Sequence, residues 1–304
     1  MIKPSGEQWE IEHGDQHAVV VEVGGGLREY GAGGIPVLDG YAADEMCLGS
    51  RGQALIPWPN RLADGRYTFD GRPMQVPINE VGKGTAIHGL VRWSRWQLAS
   101  RETHRVVVTH VLHPQPAYPF TLGSRIEYAL SESGLSVNVT STNLGREPLP
   151  YGTGHHPYLT LGEPSIDSAI IQLPAASAIA VDERLLPTGI VDVGEAGIDF
   201  RKARTLGTSR LDIAFTALER DAGGRAWFTM QTADERRRIR FWMAAAYTHV
   251  MLFTGDTLTD ETRRRQGLGV EPMTCPPNAF GSGDGVITLN PGESHSTAWG
   301  MQAT

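Results

Sequence analysis

Four short segments, far apart in the chain, concentrate side chains able to move protons or hold oxygen-rich groups: Pro59-Asn60-Arg61-Leu62-Ala63-Asp64-Gly65, Ile87-His88-Gly89, His155-His156-Pro157-Tyr158 and Gly269-Val270-Glu271-Pro272. A glutamate with an ordinary pKa of about 4.3 is ionised near neutrality, and a histidine near 6.5 is roughly a quarter protonated at pH 7, more so beside a carboxylate. One carboxylate and one imidazole therefore form an acid/base set that exchanges protons in either direction. Arginine adds a rigid fork of donors and no acceptor. Taken singly, each residue also fits a plain role: Glu271 as an exposed loop acid, His156 and His88 as hydrogen-bonded structural histidines, Arg61 as half of an ion pair.

Other chemistries lack their residues. Gly24-Gly25-Gly26 follows an apolar run, but position 29 is Glu and no helical pattern opens there, so a dinucleotide fingerprint fails. Gly82-Lys83-Gly84-Thr85 lacks the first glycine of a phosphate-cradling loop, whose place is taken by Pro77. There is no G-x-S-x-G elbow, and Ser282 between Gly281 and Gly283 reads as a turn. His155 and His156 adjoin, but neighbours on an extended chain face opposite ways and no H-E-x-x-H spacing supplies further ligands, so no metal is expected. Cys47 and Cys275 form neither a C-x-x-C pair nor a disulfide framework and read as free thiols. The runs Arg236-Arg237-Arg238 and Arg263-Arg264-Arg265 sit beside acidic pairs and read as solvated, mixed charge.

Asn-Arg, then His-Gly, then His-x-Tyr, then a late Glu after a short apolar residue is an order that resembles the aldose 1-epimerase, or galactose mutarotase, family, from about Asn60 to Glu293. The resemblance implies a β-supersandwich, sugar recognition and no cofactor. It makes Glu271 the general base, His156 the general acid, His88 and Arg61 sugar-orienting groups, and Asp212 in Leu211-Asp212-Ile213 a hydroxyl-binding acceptor. Galactose-specific members have a second glycine where Leu90 stands and Asn-His-Ser-Tyr where this chain has His-His-Pro-Tyr. The chemistry fits independently, because exchanging anomers takes a proton from the C1 hydroxyl and gives one to the ring oxygen. Trp58, Trp93 and Trp96 flank these segments and are candidates to stack on a sugar face. Two alternatives stay open: mutarotation of a phosphorylated hexose, which needs an arginine-rich pocket, and a noncatalytic carbohydrate-binding sandwich.

The elements that must position these groups read as strands. Leu135, Val137 and Val139 alternate with Ser136, Asn138 and Thr140, the period of a strand with one face buried. The run Arg125 to Leu130 precedes it across Ser131-Glu132-Ser133-Gly134, a hairpin connection. Further β-rich runs span 18–23, 105–112, 239–243, 249–254 and 286–289, and long amphipathic helices are absent. With Gly 36 and Pro 19 in 304 residues, a single all-β domain over 1–304, a large sandwich, is expected. Stretches 56–89 and 149–162 read as loops carrying the site. A formal charge of -7 offers no footprint for nucleic acid or anionic membrane, leaving a small-molecule sugar as the expected partner of a monomer or homodimer. The first residues lack an apolar targeting core, and no window approaches the roughly 20 apolar residues of a membrane span, so a cytoplasmic location is expected.

Overall fold

Alternating apolar residues, cut by glycine and proline, fold into antiparallel sheets. The computed structural model describes residues 2–304. Among them the one α-helix is the four-residue turn Ala279–Ser282, and no helix is long and apolar enough to cross a membrane.

Two large sheets dominate. The nine-stranded one runs Gln97–Glu102, Arg105–Leu112, Leu122–Ser131, Gly134–Asn143, Ser294–Ala303, Arg238–Met243, Ala226–Gln231, Ile170–Gln172 and Arg204–Thr205. The eight-stranded one runs Pro187–Asp192, Ala175–Val181, Asp212–Leu218, His249–Phe253, Leu268–Met273, Gly154–His155 and Ala54–Leu55, with Tyr158–Leu159 also paired to Leu268–Met273. One core contains Val137, Phe228 and Trp299 from the first together with Phe215, Leu252 and Val270 from the second. This is the expected sandwich. A four-stranded sheet, Gln8–His13, Gln16–Val21, Leu27–Ala32 and Ile35–Pro36, adds Trp9, Ile11 and Val20 to the same core.

The alternation at 135–140 holds: Leu135, Val137 and Val139 are buried, while Asn138 is exposed. The hairpin is tighter than expected, since Ser131 pairs with Gly134 and only Glu132 and Ser133 form the turn. Stretches 56–89 and 149–162 are not plain loops. They contain the paired strands Arg61–Ala63 with Thr85–Ile87, Arg66–Phe69 with Arg72–Gln75, and the short strands Leu149–Tyr151, Gly154–His155 and Tyr158–Leu159. Strands of two to four residues carry no readable period, so their pairing becomes visible only in the fold.

His155 shows what this core demands. Its ring lies 5.3 Å from that of Trp299, fully buried, with neither ring nitrogen hydrogen-bonded. Burial therefore pushes its pKa down to about 3. The unfolded chain takes a proton there below about pH 6.5. Stability is thus present above that pH and lost as the pH falls toward 3, at up to ~1.4 kcal/mol per pH unit from this one group. His155→Phe should remove that share of the acid slope between about pH 6 and 4. Urea titrations across that range measure it, and an unchanged slope would assign the acid sensitivity elsewhere.

Candidate active site

The site is organised by register. On adjacent strands Glu271 pairs with Met251, and Met251 with Ala214; one step along, Gly269 pairs with Phe253, and Phe253 with Asp212. Positions two apart share a face, so Asp212, Met251, Phe253, Gly269 and Glu271 all project from one side of the sheet. Every residue of Leu268–Met273 is buried, because the opposite side feeds Leu268 and Val270 into the core. Packing at Gly269 is close: a Cβ there would lie 3.2 Å from the Cβ of Phe253 and in van der Waals contact, 3.7 Å, with Cε1 of His156.

Across this face, Nε2 of His156 lies 3.2 Å from Oε1 of Glu271, both side chains being almost wholly buried. Tyr158 stacks on His156 at 4.9 Å and an interplanar angle of 16°, and the Arg51 guanidinium lies 4.5 Å from the Tyr158 ring centre. His88 meets the edge of His156 at 5.1 Å. Thus His156 turns to the pocket, whereas His155 turns into the core, as expected for neighbours on an extended chain.

His88 is clamped through its backbone and its ring. Its amide donates to the Asn60 carbonyl at 2.9 Å, while the Asn60 amide donates to its Nδ1 at 3.2 Å. Accepting at Nδ1 places the hydrogen of the neutral ring on Nε2. Both residues hold left-handed backbone, φ 55° at Asn60 and φ 65° at His88, a strain that typically clusters at functional sites. Gly89 follows at φ 70°, where a Cβ would fall 2.1 Å from the Ile56 carbonyl oxygen. Only glycine fits there.

Arg61 sits between carboxylates. It donates from Nε and Nη2 to the two oxygens of Glu80 at 2.9 and 3.0 Å, and its Nη1 lies 3.5 Å from Oδ1 of Asp212. Burial alone would lower its pKa, but Asp212 and Glu80 outweigh it and raise it. These groups line a pocket of about 730 Å³, within the usual range for small-molecule sites. Asp212, Glu271, His156, His88 and Arg61, the five residues singled out in the sequence, all face it. Glu80 and Arg92 also line it and were missed, having no motif of their own, and Asn60 lines it too, legible only as half of the Asn-Arg pair.

The tryptophan expectation is corrected. Trp58 packs on Phe280 in the core, Trp96 is fully buried near His110, Trp93 is exposed, and none of the three lines the pocket. The aromatic walls are Tyr41, Tyr158 and Phe253. The basic run at 263–265 is not merely solvated either. Arg263 reaches Asp39 at 2.8 Å at the pocket's edge, and Arg265 bridges Asp167 and Asp256.

The ionisation of Glu271 and His156 also departs from expectation. Burial, then the charges of Arg92 and Arg51, hold His156 well below the usual histidine range, and burial, then Asp212, lifts Glu271 above the usual carboxylate range despite Arg61. The empty pocket thus disfavours both charges. A proton resting between the two groups belongs to the pair.

Ligand atoms of His88, His156 and Glu271 lie within 4.8 Å of one another, close enough for a divalent ion. The donor set does not fit one. A ligating histidine donates its other N–H to an acceptor, whereas Nδ1 of His88 itself accepts from Asn60 and Nδ1 of His156 has no partner. The chemistry of the site should survive exhaustive chelation. Loss of activity with EDTA, restored by a divalent ion, would overturn this.

A model of the family described as aldose 1-epimerase matches residues 7–301. An uncharacterized Escherichia coli protein, YihR, is 38% identical over 292 residues, covering 96% of this chain and 91% of the relative. An E. coli aldose 1-epimerase is 24% identical over 274 residues, covering 81% and 78%. Among solved structures, a GalM/aldose epimerase homologue from C. elegans superposes with a TM-score of 0.87 at 16% identity, covering 98% of each chain. A galactose mutarotase-like protein from Clostridium acetobutylicum does so with a TM-score of 0.84 at 20% identity, covering 97% and 94%.

Proposed function

The chain belongs to the aldose 1-epimerase family, and from that premise we propose that it interconverts the α- and β-anomers of a free aldose, with Glu271 and His156 as its acid/base pair. The 3.2 Å contact between Nε2 of His156 and Oε1 of Glu271, at the floor of a pocket lined by Arg61, His88 and Asp212, carries the reading.

The reaction needs two proton transfers and one bond cleavage. The Glu271 carboxylate takes the C1 hydroxyl proton, the C1–O5 electron pair leaves to the ring oxygen as the C1 carbonyl forms, and the imidazolium of His156 gives O5 its proton. Rotation about C1–C2 presents the other carbonyl face, and the same steps in reverse close the ring. Atoms and charge balance with one shared proton. Entry of the sugar's hydroxyls resolvates the pair and allows that proton to sit on His156 while Glu271 is ionised. Arg61 and Asp212 offer donors and acceptors to the remaining hydroxyls, and His88 offers its Nε2–H.

The binding-module alternative places no demand on proton inventory, so kinetics separate the two. Glu271→Gln keeps the shape and reach but cannot take a proton. Anomer exchange, followed by polarimetry or saturation-transfer NMR, should fall by about 10² to 10⁴, with sugar affinity changed by less than about tenfold. Wild-type kcat/KM should be bell-shaped in pH, both limbs belonging to the pair, and the variant should keep at most one limb. A folded variant with unchanged turnover would remove Glu271 from the base role. His156→Ala should lower kcat far more than affinity, whereas Arg61→Ala should mainly raise KM, because its contacts form in the ground state too.

A further inference from the structure

The pocket's charges are divided between two ends. Around Glu271 one guanidinium, Arg61, serves the carboxylates of Glu80 and Asp212. Toward the opposite wall, Arg51 and Arg263 share the single carboxylate of Asp39. Arg92 there forms no ion pair among the described residues. Its Nη1 donates to Oγ of Ser50 at 2.7 Å, its Nη2 to the carbonyl of Ile87 at 3.2 Å, and its Nε is buried without a partner. Two neutral acceptors therefore serve five N–H donors and a whole positive charge. Glu80, a nearby acid, has both oxygens engaged with Arg61. Asp260 and Glu45 also line the pocket, but they cap the backbone amides of Thr262 and Ala42.

A mostly buried guanidinium without a carboxylate is costly unless something of opposite charge completes it. Its position tells which part of a sugar that would be. Arg92 holds Oγ of Ser50, the residue beside Arg51, whose guanidinium covers the Tyr158 ring stacked on His156, whereas Arg61 contacts Asp212, which shares the face of Glu271. With C1 at Glu271 and the ring oxygen at His156, stepping round the ring past Glu271 leads to C2 and C3, on the side of Asp212 and Arg61. Stepping past His156 leads to C5 and its exocyclic carbon, on the side of Arg92.

We propose that Arg92 binds an oxyanion on C6 of the sugar, so that the substrate is a hexose derivative carrying a carboxylate, sulfate, sulfonate or phosphate at that carbon. This rests on the epimerase reading for the orientation of the ring. Arg51 and Arg263 stand on the same wall with the carboxylates of Asp39, Asp260 and Glu45, which leaves Arg92 as the guanidinium there without a carboxylate contact. A charge-assisted contact of this kind favours the anionic sugar over its neutral parent by about 10- to 100-fold.

The test measures anomer exchange by saturation-transfer NMR on glucose and galactose beside their 6-sulfates, 6-phosphates and uronates. At least one anionic series should exceed its neutral parent in kcat/KM by about tenfold or more, and the series that does so identifies the group. Arg92→Met should bring that ratio to within about threefold of one, while Arg92→Lys, which keeps a charge, retains most of it. Reading the ratio within each variant cancels general damage to the site. Wild-type enzyme that turns over the neutral sugars as well as every anionic one overturns the proposal, as does a ratio indifferent to Arg92→Met. Binding of 1,5-anhydroglucitol and its 6-sulfate and 6-phosphate, which have no anomeric hydroxyl, separates this failure from that of the epimerase reading. An Arg92-dependent preference for an anion without exchange of any sugar upholds the subsite and removes the epimerase activity; no preference removes the subsite.

Discussion

Putting an imidazole and a carboxyl 3.2 Å apart, both almost wholly buried at the wall of the pocket, is the constraint that the rest of the site is built around. Neither group reaches that depth unaided, since burial of an unpaired charge is costly. The scaffold meets the demand with a strand buried on both faces, Leu268–Met273, held between His249–Phe253 and the short strands Gly154–His155 and Tyr158–Leu159. Because Tyr158 lies on a strand paired with the one bearing Glu271, the ring that stacks on His156 and the carboxyl that faces it are fixed to one frame. Precision at the site comes from ladder hydrogen bonds rather than from loop conformation.

The second half of the pocket is made differently. Arg61 and His88 enter from the two-stranded pair Arg61–Ala63 and Thr85–Ile87, where His88 and Asn60 bond reciprocally and both adopt left-handed backbone. Such conformations cost of order 1–3 kcal/mol each and persist only where surrounding contacts determine them. Here the cost is offset locally by the Asn60 side chain, whose Oδ1 accepts from the Arg61 amide at 2.8 Å, and by the glycine at 89. The result is a histidine of defined tautomer offering one N–H to the pocket.

Much of this was legible in the sequence because the side chains proposed for the chemistry are chemically distinctive and attached to recognisable neighbours. Glu271, His156, His88 and Arg61 stand in segments whose order carries the family resemblance, and the alternation at 135–140 discloses a sandwich strand. What stayed hidden depends on register. Asp212 was singled out only through the resemblance; that it shares a face with Glu271 follows because it lies two residues from Ala214, which stands in one cross-strand row with Met251 and Glu271, and no single strand reveals that alignment. Glu80 becomes a partner of Arg61 through a turn that folds back on Thr85. Trp58 and Trp96 sit near reactive residues in sequence but alternate into the core, so proximity along the chain misled.

Electrostatics were least legible of all, and for a general reason. A histidine beside a carboxylate is expected to gain basicity from the contact, yet here burial dominates and the guanidinium groups of Arg92 and Arg51 add to it, depressing His156 while Glu271 is raised. The two opposed shifts have one consequence: in the empty pocket the neutral form of the pair is favoured over the ionised form that holds the same number of protons, so the proposed reaction requires a bound polyol to restore the charges. A pair held permanently as imidazolium and carboxylate would bind its proton too firmly to hand it to an ether oxygen. A permanently neutral pair would lack the base. On the proposed reading one group must take a proton as the other gives one, and the reverse on reclosure, so burial that penalises both charges, reinforced by Arg92 and Arg51 at the histidine and by Asp212 at the glutamate, sets the cost that a bound sugar has to offset.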